Sequence, residues 1–381
     1  MKKIIRTRRL LDCTGSPVKK DWSLIVEDGE IVQMGPSKEI DEPNLPILDM
    51  TNGFVMPGFI DMHAHFCYTE DAEFQQSNLN PNKVKMLNCG LRNAEEWLYQ
   101  GVTTARIVGT PFDLDLELNN VLKNRPELGP RLVCAGHMMT MVGGCRVPWD
   151  KMKEEINGPN EALTFTRKHL ARGVDVIKLY MTTLLEENVA DYLERTLSLP
   201  DDAPDTGRWG ALTEDEIRAV CDEVHKVGRT VSAHVAPEFG IKIALKGGVD
   251  TIEHGSDLDD ECIALFLETG ATLVPTLEVS HHQFTNPDMS KAPAVFTKFA
   301  LKRWERQKTM LKKAYQSNVK IATGTDSVMS GMHYFPEVEL LVHEIDMTPQ
   351  DALLCATRNG AAAMGIKGEK IGTLEVGKFA D

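Results

Sequence analysis

The fold of this chain is decided at residues 57–65, which read PGFIDMHAH. The character of the sequence changes at this point. Residues 1–55 carry short strand-like runs and a hairpin-turn signal at Asp28-Gly29, and nothing in them has helical periodicity. From residue 57 onward, apolar strand-like runs alternate with amphipathic helical patterns. This alternation is typical of βα units built around a parallel sheet.

The apolar runs number eight, and helical patterns with i, i+3, i+4 spacing lie between most of them. Thr213 followed by Glu216 predicts a capping-box start for one of these helices. Eight strands alternating with helices predict a (β/α)8 TIM barrel, in which catalytic side chains lie at the carboxyl ends of the strands. The predicted strands are residues 59–65, 103–108, 132–135, 174–180, 230–234, 251–254, 272–276 and 320–324.

Composition and charge limit the class of partner. The 381 residues include 42 Lys and Arg against 56 Asp and Glu, a formal net charge of −14. Because this excess repels phosphate groups, we expect no nucleic acid and no membrane surface as a partner. The eight cysteines form no CxxC pair, which favours a reduced, cytoplasmic location over a disulfide framework. We expect a small-molecule substrate and a homo-oligomer.

Four histidines fall at the ends of predicted strands. His63 and His65 are two residues apart on the first strand, so both imidazoles project from the same face toward the same rim. His234 and His254 each end a later apolar run. Taken singly, His234 or His254 is better explained as a buried core histidine, and His63 with His65 could be two surface histidines near a loop. Four at one rim of one barrel indicate ligands for a metal such as zinc.

Two further residues extend this set. Asp326 ends the eighth strand, where a carboxylate can bind a metal and accept a proton, although aspartate is also a common helix N-cap. Lys178 lies inside the apolar run 174–180, in a strand expected to be buried on both faces. An uncompensated ammonium there is very costly. The lysine must therefore be ion-paired, deprotonated, or converted by CO₂ to a carbamate.

These residues, in this order, resemble the amidohydrolase superfamily. The similarity runs from PGFIDMHAH at residues 57–65 to GTD at residues 324–326, and continues into GTLEVGKFAD at residues 372–381. Within the superfamily, GVTTAR at residues 101–106 and TIEHG at residues 251–255 look most like the imidazolonepropionase-related branch. That branch includes Xaa-Pro dipeptidases and assorted amidases.

The resemblance implies a fold and an activity. The fold is a TIM barrel over residues 56–365, with a small β-sandwich domain formed by residues 1–55 and 366–381. The activity is metal-dependent hydrolysis of a C–N bond in a small amide, cyclic amide, carbamate or urea.

The resemblance also implies the ligands of two divalent metals, with zinc as the expected metal. His63 and His65 would hold one metal together with Asp326, and the remaining two histidines would hold the second. A carboxylated lysine and a hydroxide would bridge the metals, and Asp326 would act as general base and then general acid. The full implied ligand set is His63, His65, Lys178, His234, His254 and Asp326.

Two departures from the branch bear on the substrate. Dipeptidases of the branch show Gly-Gly-His after the third strand, where this chain has Cys145 after two glycines, and a tyrosine after the fifth-strand histidine, where this chain has Val235. Both family residues look suited to binding a terminal carboxylate. We therefore expect a substrate without one, and Xaa-Pro dipeptide hydrolysis is the alternative.

A deaminase and an inactive scaffold protein are less consistent with the residues. A mononuclear deaminase of this superfamily usually lacks the lysine at position 178 and has a glutamate three residues after the fifth-strand histidine. Here Glu238 lies four residues after His234. A catalytically inactive scaffold protein would typically have lost metal ligands, and all six are present.

Substrate contacts are less clearly marked than metal ligands. His137 follows the third strand, Tyr180 follows Lys178, and Arg106 lies near the end of the second strand. Each is a candidate substrate contact, and a solvated residue at the rim is an equally good interpretation of any one of them.

Overall fold

The structure is a computed structural model that describes residues 1–40, 42–68, 82–145, 152–185, 188–200, 207–285, 293–328 and 331–381. It begins with a four-stranded sheet. β1 (Lys2–Leu10), β2 (Lys19–Glu27) and β3 (Glu30–Pro36) are antiparallel neighbours, and β4 (Ile47–Met50) pairs in parallel with the other edge of β1. Asp28 and Gly29 form the predicted turn between β2 and β3, with φ of 50° and 86°.

The C-terminal residues return to this sheet. The Ile31 amide donates to the Lys378 carbonyl at 2.8 Å. Leu374 packs with Leu10, Leu24 and Ile31 in a small apolar cluster. The first and last segments of the chain therefore share one core.

The remaining strands begin at residue 59 and supply the larger part of the molecule. In chain order they are β5 (Phe59–Ala64), β6 (Val102–Ile107), β7 (Arg131–Cys134), β8 (Met138–Met141), β9 (Lys153–Ile156), β10 (Val176–Tyr180), β11 (Thr182–Leu184), β12 (Trp209–Ala211), β13 (Thr230–Val235), β14 (Thr251–His254), β15 (Thr272–Val274) and β16 (Lys320–Ile321).

The helices alternate with these strands. They are α1 (Lys83–Tyr99), α2 (Leu114–Asn124), α3 (Pro159–Arg172), α4 (Val189–Ser198), α5 (Glu214–His225), α6 (Glu238–Gly247), α7 (Asp260–Thr269), α8 (Leu277–Thr285), α9 (Ala294–Gln316), α10 (Phe335–His343), α11 (Pro349–Leu354) and α12 (Gly360–Ala362). The capping box predicted at Thr213 and Glu216 is present at the start of α5. Among the described residues, no helix is long and apolar enough to cross a membrane.

The parallel strands form two sheets. β5, β6 and β7 make one of three strands, and the other has seven, in the order β16-β15-β14-β13-β10-β8-β9. Backbone hydrogen bonds join the sheets on both sides: the Met62 amide donates to the Thr323 carbonyl (2.9 Å), and the Asp175 amide to the Cys134 carbonyl (2.7 Å). The carboxyl ends of the parallel strands therefore face one side of the molecule, where the sequence places its histidines.

Each of the eight predicted runs contains a strand, but the third run continues further than expected. The backbone bends after β7 at Gly136, which has a φ of 65°, and the strand resumes as β8. Met138 on β8 then pairs with Lys178 on β10. The methionines that follow the third run thus lie mainly in a strand, and Met139 is part of the main apolar core.

Candidate functional site

His63, His65 and Asp326 meet at the carboxyl end of β5. The Nε2 atom of each histidine lies 3.4 Å from Asp326 Oδ1. The two rings are 5.3 Å apart, as expected for residues that share one face of a strand. The Asp326 amide donates to the His63 carbonyl at 2.7 Å, which fixes the aspartate against β5.

His234 and His254 lie beside this group, at the ends of β13 and β14. Their Nδ1 and Nε2 atoms, respectively, are 2.8 Å apart, and the His254 ring is 5.0 Å from that of His63. His254 Nδ1 is 2.8 Å from the Thr276 hydroxyl. Both His254 and Thr276 have positive φ, 68° and 49°. This conformation is uncommon for any residue other than glycine and is especially unfavourable for the β-branched Thr276. The surrounding packing holds them in this strained geometry.

Lys178 completes the cluster from β10. Its side chain is only 2% exposed, and its Nζ atom has no hydrogen-bond partner among the described residues. Burial lowers the pKa of the lysine to about 8, against the opposing charges of Glu253 and Asp326. The buried amine therefore has no ion pair among the described residues, and of the three states expected from the sequence the deprotonated amine and the carbamate remain.

We call the six residues together the strand-end cluster: His63, His65, Lys178, His234, His254 and Asp326. Ligand atoms of His63, His254 and Asp326 all lie within 4.8 Å of one another. Imidazole nitrogens and a carboxylate are ligands that suit zinc. Lys178 lines one cavity together with His63, His65 and Asp326. The residues present therefore fit a divalent metal centre.

A buried carboxylate beneath the cluster orients His63. Glu253 Oε2 lies 2.8 Å from His63 Nδ1, so this nitrogen carries the proton and Nε2 is left with its lone pair facing Asp326. The other Glu253 oxygen accepts hydrogen bonds from Ser232 (2.8 Å) and Thr251 (2.6 Å). Burial acts to raise the pKa of Glu253, but the Arg106 guanidinium, the hydrogen bond with His63 and the charge of Lys178 hold it well below its ordinary value. His63 is thereby presented as a neutral ligand.

Arg106 belongs to this support and not to the substrate pocket, which corrects our expectation. Its guanidinium is fully buried and donates to Glu253 (2.6 Å), Thr251 (3.0 Å) and the Met62 carbonyl (2.7 Å). A strand that is buried on both faces leaves an arginine no route to solvent, so its charge is matched inside the protein.

The two remaining candidate substrate contacts, Tyr180 and His137, lie in different places relative to the strand-end cluster. Tyr180 stacks on His234 with ring centroids 4.1 Å apart and lines the cavities at the cluster. His137 does not line these cavities. It contacts Asp113 and Glu154 instead, because residues adjacent on a strand point to opposite faces, and its neighbour Met138 is the one that lines the cavity.

Two cavities meet the strand-end cluster. A small cavity of about 150 Å³ is lined by Lys178, His63 and His65, among others. A larger one of about 430 Å³ is lined by His234, His254 and Asp326, among others. The larger cavity shares four wall residues with a neighbouring apolar chamber of about 230 Å³. The shared wall residues are Leu184, Trp209, Ala236 and Arg303.

Sequence analysis missed Glu253 and Arg303. Glu253 carries the same signal as Lys178, a charge in a strand buried on both faces, and could have been found by it. Arg303 lies within the long helix α9 and donates to the Ser256 hydroxyl at 2.9 and 3.0 Å. Only the tertiary fold brings it to the cavity, so nothing in its local sequence marks it.

Comparison with known proteins agrees with this arrangement. The chain is 24% identical to ochratoxinase from Aspergillus niger over 99% of this chain and 80% of that protein, and 23% identical to imidazolonepropionase from Symbiobacterium thermophilum over 94% and 82%. A crystal structure of a Xaa-Pro dipeptidase with bound methionine superposes with a TM-score of 0.83 at 24% identity, covering 100% of this chain and 93% of that one. The sequence model of the amidohydrolase family matches residues 54–381. The chain belongs to the amidohydrolase family.

Proposed function

We propose that this amidohydrolase binds two divalent metals, with zinc as the expected metal, and hydrolyses a C–N bond of a small molecule. The bond is that of an amide, cyclic amide, carbamate or urea. The observation that carries the proposal is Lys178. Lys178 is 2% exposed, has no hydrogen-bond partner among the described residues, and lines one cavity with Asp326 and three histidines of the strand-end cluster. We therefore assign it the role of a metal bridge.

The proposal includes the barrel in which the site lies. The three-stranded and seven-stranded sheets, joined on both sides by backbone hydrogen bonds, would form one closed (β/α)8 barrel over residues 56–365. Residues 1–55 and 366–381 would form the small domain. Such a barrel accounts for the meeting of β5, β10, β13 and β14 at their carboxyl ends.

Lys178 would bridge the metals as a carbamate. The lowered pKa, about 8, gives a substantial fraction of neutral amine near pH 8. The neutral Nζ would attack CO₂ to form an N–C bond and release one proton to water, which gives an anion with two oxygens; a lysine that starts as the ammonium must release a further proton before the attack. Two histidine pairs would supply the nitrogen ligands: His63 with His65, whose ring centroids are 5.3 Å apart, and His234 with His254, whose centroids are 4.4 Å apart.

The protein groups would divide the remaining tasks. Metals held in this cluster would lower the pKa of water and polarise a carbonyl group. Asp326 would accept the proton of the attacking water and donate it to the leaving nitrogen. Burial acts to raise the pKa of Asp326, but its interactions with His63, His65 and His254 hold the pKa well below the ordinary value, so it starts as the carboxylate that a base must be. Glu253 would keep His63 in the correct tautomer.

The cavities indicate the shape of the substrate. The scissile bond would lie in the 430 Å³ cavity next to Asp326, and an apolar substituent would extend into the adjoining chamber. Cys145 and Val235 are buried and line neither of the two cavities that meet the strand-end cluster, and neither side chain is cationic. This supports a substrate that lacks a terminal carboxylate.

One observation favours the dipeptidase alternative. Arg303 lines the 430 Å³ cavity together with Asp326, and its guanidinium could bind an anionic end of a substrate. Arg303→Gln separates the two possibilities. It should leave hydrolysis of neutral amides within about threefold of wild type, and should raise KM for dipeptides by about tenfold or more, since the loss of a charge-assisted hydrogen bond costs about 1.5–3 kcal/mol.

A substrate panel tests the proposed function. Anilides, carbamates, lactams and Xaa-Pro dipeptides are assayed with metal-loaded wild type and with Lys178→Ala as the blank. Turnover of a neutral compound with higher kcat/KM than any dipeptide supports the proposal. Faster turnover of dipeptides, by about a hundredfold, contradicts the substrate assignment. Release of ammonia from an aromatic amine, without any amide hydrolysis, would identify a deaminase instead.

A further inference from the structure

His137 belongs to a second group of ligand-type side chains, on the outer side of β8. Asp113, His137 and His169 each contribute a ligand atom, and these three atoms lie within 4.8 Å of one another. Asp113 immediately precedes α2, His137 precedes β8, and His169 is in the last turn of α3. We call these three residues the helix-side cluster.

His169 has the tautomer and the available lone pair of a ligand. It is 0% exposed, and its Nδ1 lies 3.1 Å from the Phe165 carbonyl, to which it must donate. Nε2 therefore carries a lone pair, and it is buried with no hydrogen-bond partner among the described residues. Burial also lowers the pKa of His169, which keeps the imidazole neutral. An unsatisfied buried acceptor is destabilising unless something binds it.

His137 is arranged in the same way. Both of its ring nitrogens lack a hydrogen-bond partner within the part of the chain that the structure describes. Nδ1 faces Glu154 Oε1 at 3.6 Å, and Nε2 faces Asp113 Oδ1 at 3.7 Å. A carboxylate behind one ring nitrogen and a free lone pair on the other is the usual setting of a metal-binding histidine. Two ligand atoms with bonds of about 2.0–2.2 Å to one tetrahedral zinc lie about 3.4 Å apart. The 3.7 Å between His137 Nε2 and Asp113 Oδ1 is close to this separation.

Asp113 is held so that one oxygen remains directed at the histidines. Arg172 Nη1 donates to its Oδ2 at 3.2 Å, and the His137 backbone amide donates to its Oδ1 at 3.0 Å. The carboxylate is therefore fixed before any metal binds. Its charge, added to two neutral imidazoles, makes a donor set that suits a divalent cation of the zinc type.

We propose that Asp113, His137 and His169 bind a zinc-type divalent metal at a structural site separate from the strand-end cluster. The metal ties the start of α2, the bend between β7 and β8, and the end of α3 to one another. The site needs neither Lys178 nor Asp326, so it stands or falls independently of the proposed hydrolase function. The competing arrangement is a protonated His137 held between Asp113 and Glu154 with no metal bound.

Zinc alone is the probe. Wild type, His169→Gln and His137→Gln are dialysed to equilibrium against buffered free zinc, and bound metal is measured by plasma emission. Each variant should bind one equivalent less than wild type. Thermal denaturation gives a second reading, because added zinc should raise the Tm of both variants by less than it raises the Tm of wild type.

His225→Gln is the matched control. His225 on α5 forms a 2.8 Å hydrogen bond with Asp250 and lies outside the cluster, so this variant should bind as much zinc as wild type. Should His169→Gln fail to fold, judged by circular dichroism, the half-buried His137→Gln still decides the question. Equal zinc content in wild type and His137→Gln would overturn the proposal and leave the protonated His137 arrangement.

Discussion

The strand-end cluster and the helix-side cluster are made from the same kinds of side chain and differ in their surroundings. In the first, Lys178 adds an amine to which no described residue hydrogen-bonds, and cavities of about 150 and 430 Å³ open onto the ligands. In the second, the carboxylate of Asp113 is held by Arg172 and by a backbone amide. His137 lines neither of the two cavities that meet the strand-end cluster.

The surroundings of the two clusters suggest what a proposed metal site needs in order to be catalytic. Metal binding requires only lone pairs at the right spacing, which both clusters supply. Catalysis also requires space for a substrate beside the ligands and a carboxylate that can exchange a proton. Asp326 has that space, since it lines the 430 Å³ cavity. We therefore assign chemistry to the strand-end cluster and a structural role to the helix-side cluster.

The largest expected effect is the loss of Lys178. Lys178→Ala should lower kcat/KM by about a thousandfold or more, since a bridging anion is worth several kcal/mol at such a centre. Formate or acetate should restore part of the activity by replacing the bridge. Lys312→Ala, at a half-exposed lysine paired with Asp346, is the control and should behave as wild type. Full activity in Lys178→Ala would remove the carbamate from the account.

The two aspartates should respond in opposite ways. Asp326→Asn should lower kcat by about 10²–10⁴-fold, because a general base is lost while the shape is preserved. Asp113→Asn should keep kcat within about threefold of wild type and should lower zinc content instead. Steady-state kinetics and metal analysis on both variants decide this. A loss of kcat in Asp113→Asn equal to that of Asp326→Asn would mean that the division of roles between the clusters is wrong.

The support beneath His63 should show an intermediate effect. Ser232→Ala removes one hydrogen bond to Glu253 and should lower zinc affinity by at most about threefold. Glu253→Gln removes the charge that fixes the His63 tautomer and should lower metal affinity or activity by about 10–100-fold. Competition with a coloured chelator measures both. Identical zinc affinities for the two variants would show that Glu253 does not act through His63.

Glu337, a third buried carboxyl group, shows how burial changes a pKa when no described histidine offsets its effect on the carboxylate. Burial raises the pKa of Glu337 to about 8 from the ordinary 4.5, whereas at Asp326, where burial acts in the same direction, interactions with His63, His65 and His254 lower the pKa. Between pH 4.5 and 8 the unfolded chain ionises at Glu337 and the folded protein does not, so folding stability falls as pH rises through this window.

Glu337→Gln should remove this loss of stability. Relative to wild type, the variant should gain stability between about pH 5.5 and about pH 8.5, by a few kcal/mol at most. Urea denaturation at the two pH values measures the gain. If the free energies of unfolding of the variant and wild type differ by the same amount at both pH values, Glu337 is ionised in the folded state.

The strand-end cluster was accessible from sequence because its residues obey simple rules. His63 and His65 share a face through their i, i+2 spacing, and Lys178 is conspicuous as a charge in an apolar strand. The eight strands are marked in the sequence as short apolar runs that alternate with helical patterns. These signals are local, so one sequence is enough to read them.

What sequence could not provide depends on contacts between distant segments. The direction of His137 followed from a bend at Gly136 and the resumption of the strand as β8. The pairing of Arg106 with Glu253 joins residues 147 positions apart. Arg303 reaches the cavity only because α9 packs across it. None of these contacts has a local pattern; those of His137 and Arg106 changed the role assigned to a residue, and that of Arg303 added a residue to the site.

The central claim is that the six residues of the strand-end cluster hold two metals. Anomalous diffraction at the zinc edge, from crystals grown with zinc and without chelators, tests it by position as well as by number. We expect two peaks among these six residues, about 3.5–4 Å apart, with continuous density joining Lys178 Nζ to a group that contacts both. A single peak in this cluster, with an unmodified Lys178 in an active enzyme, would contradict it.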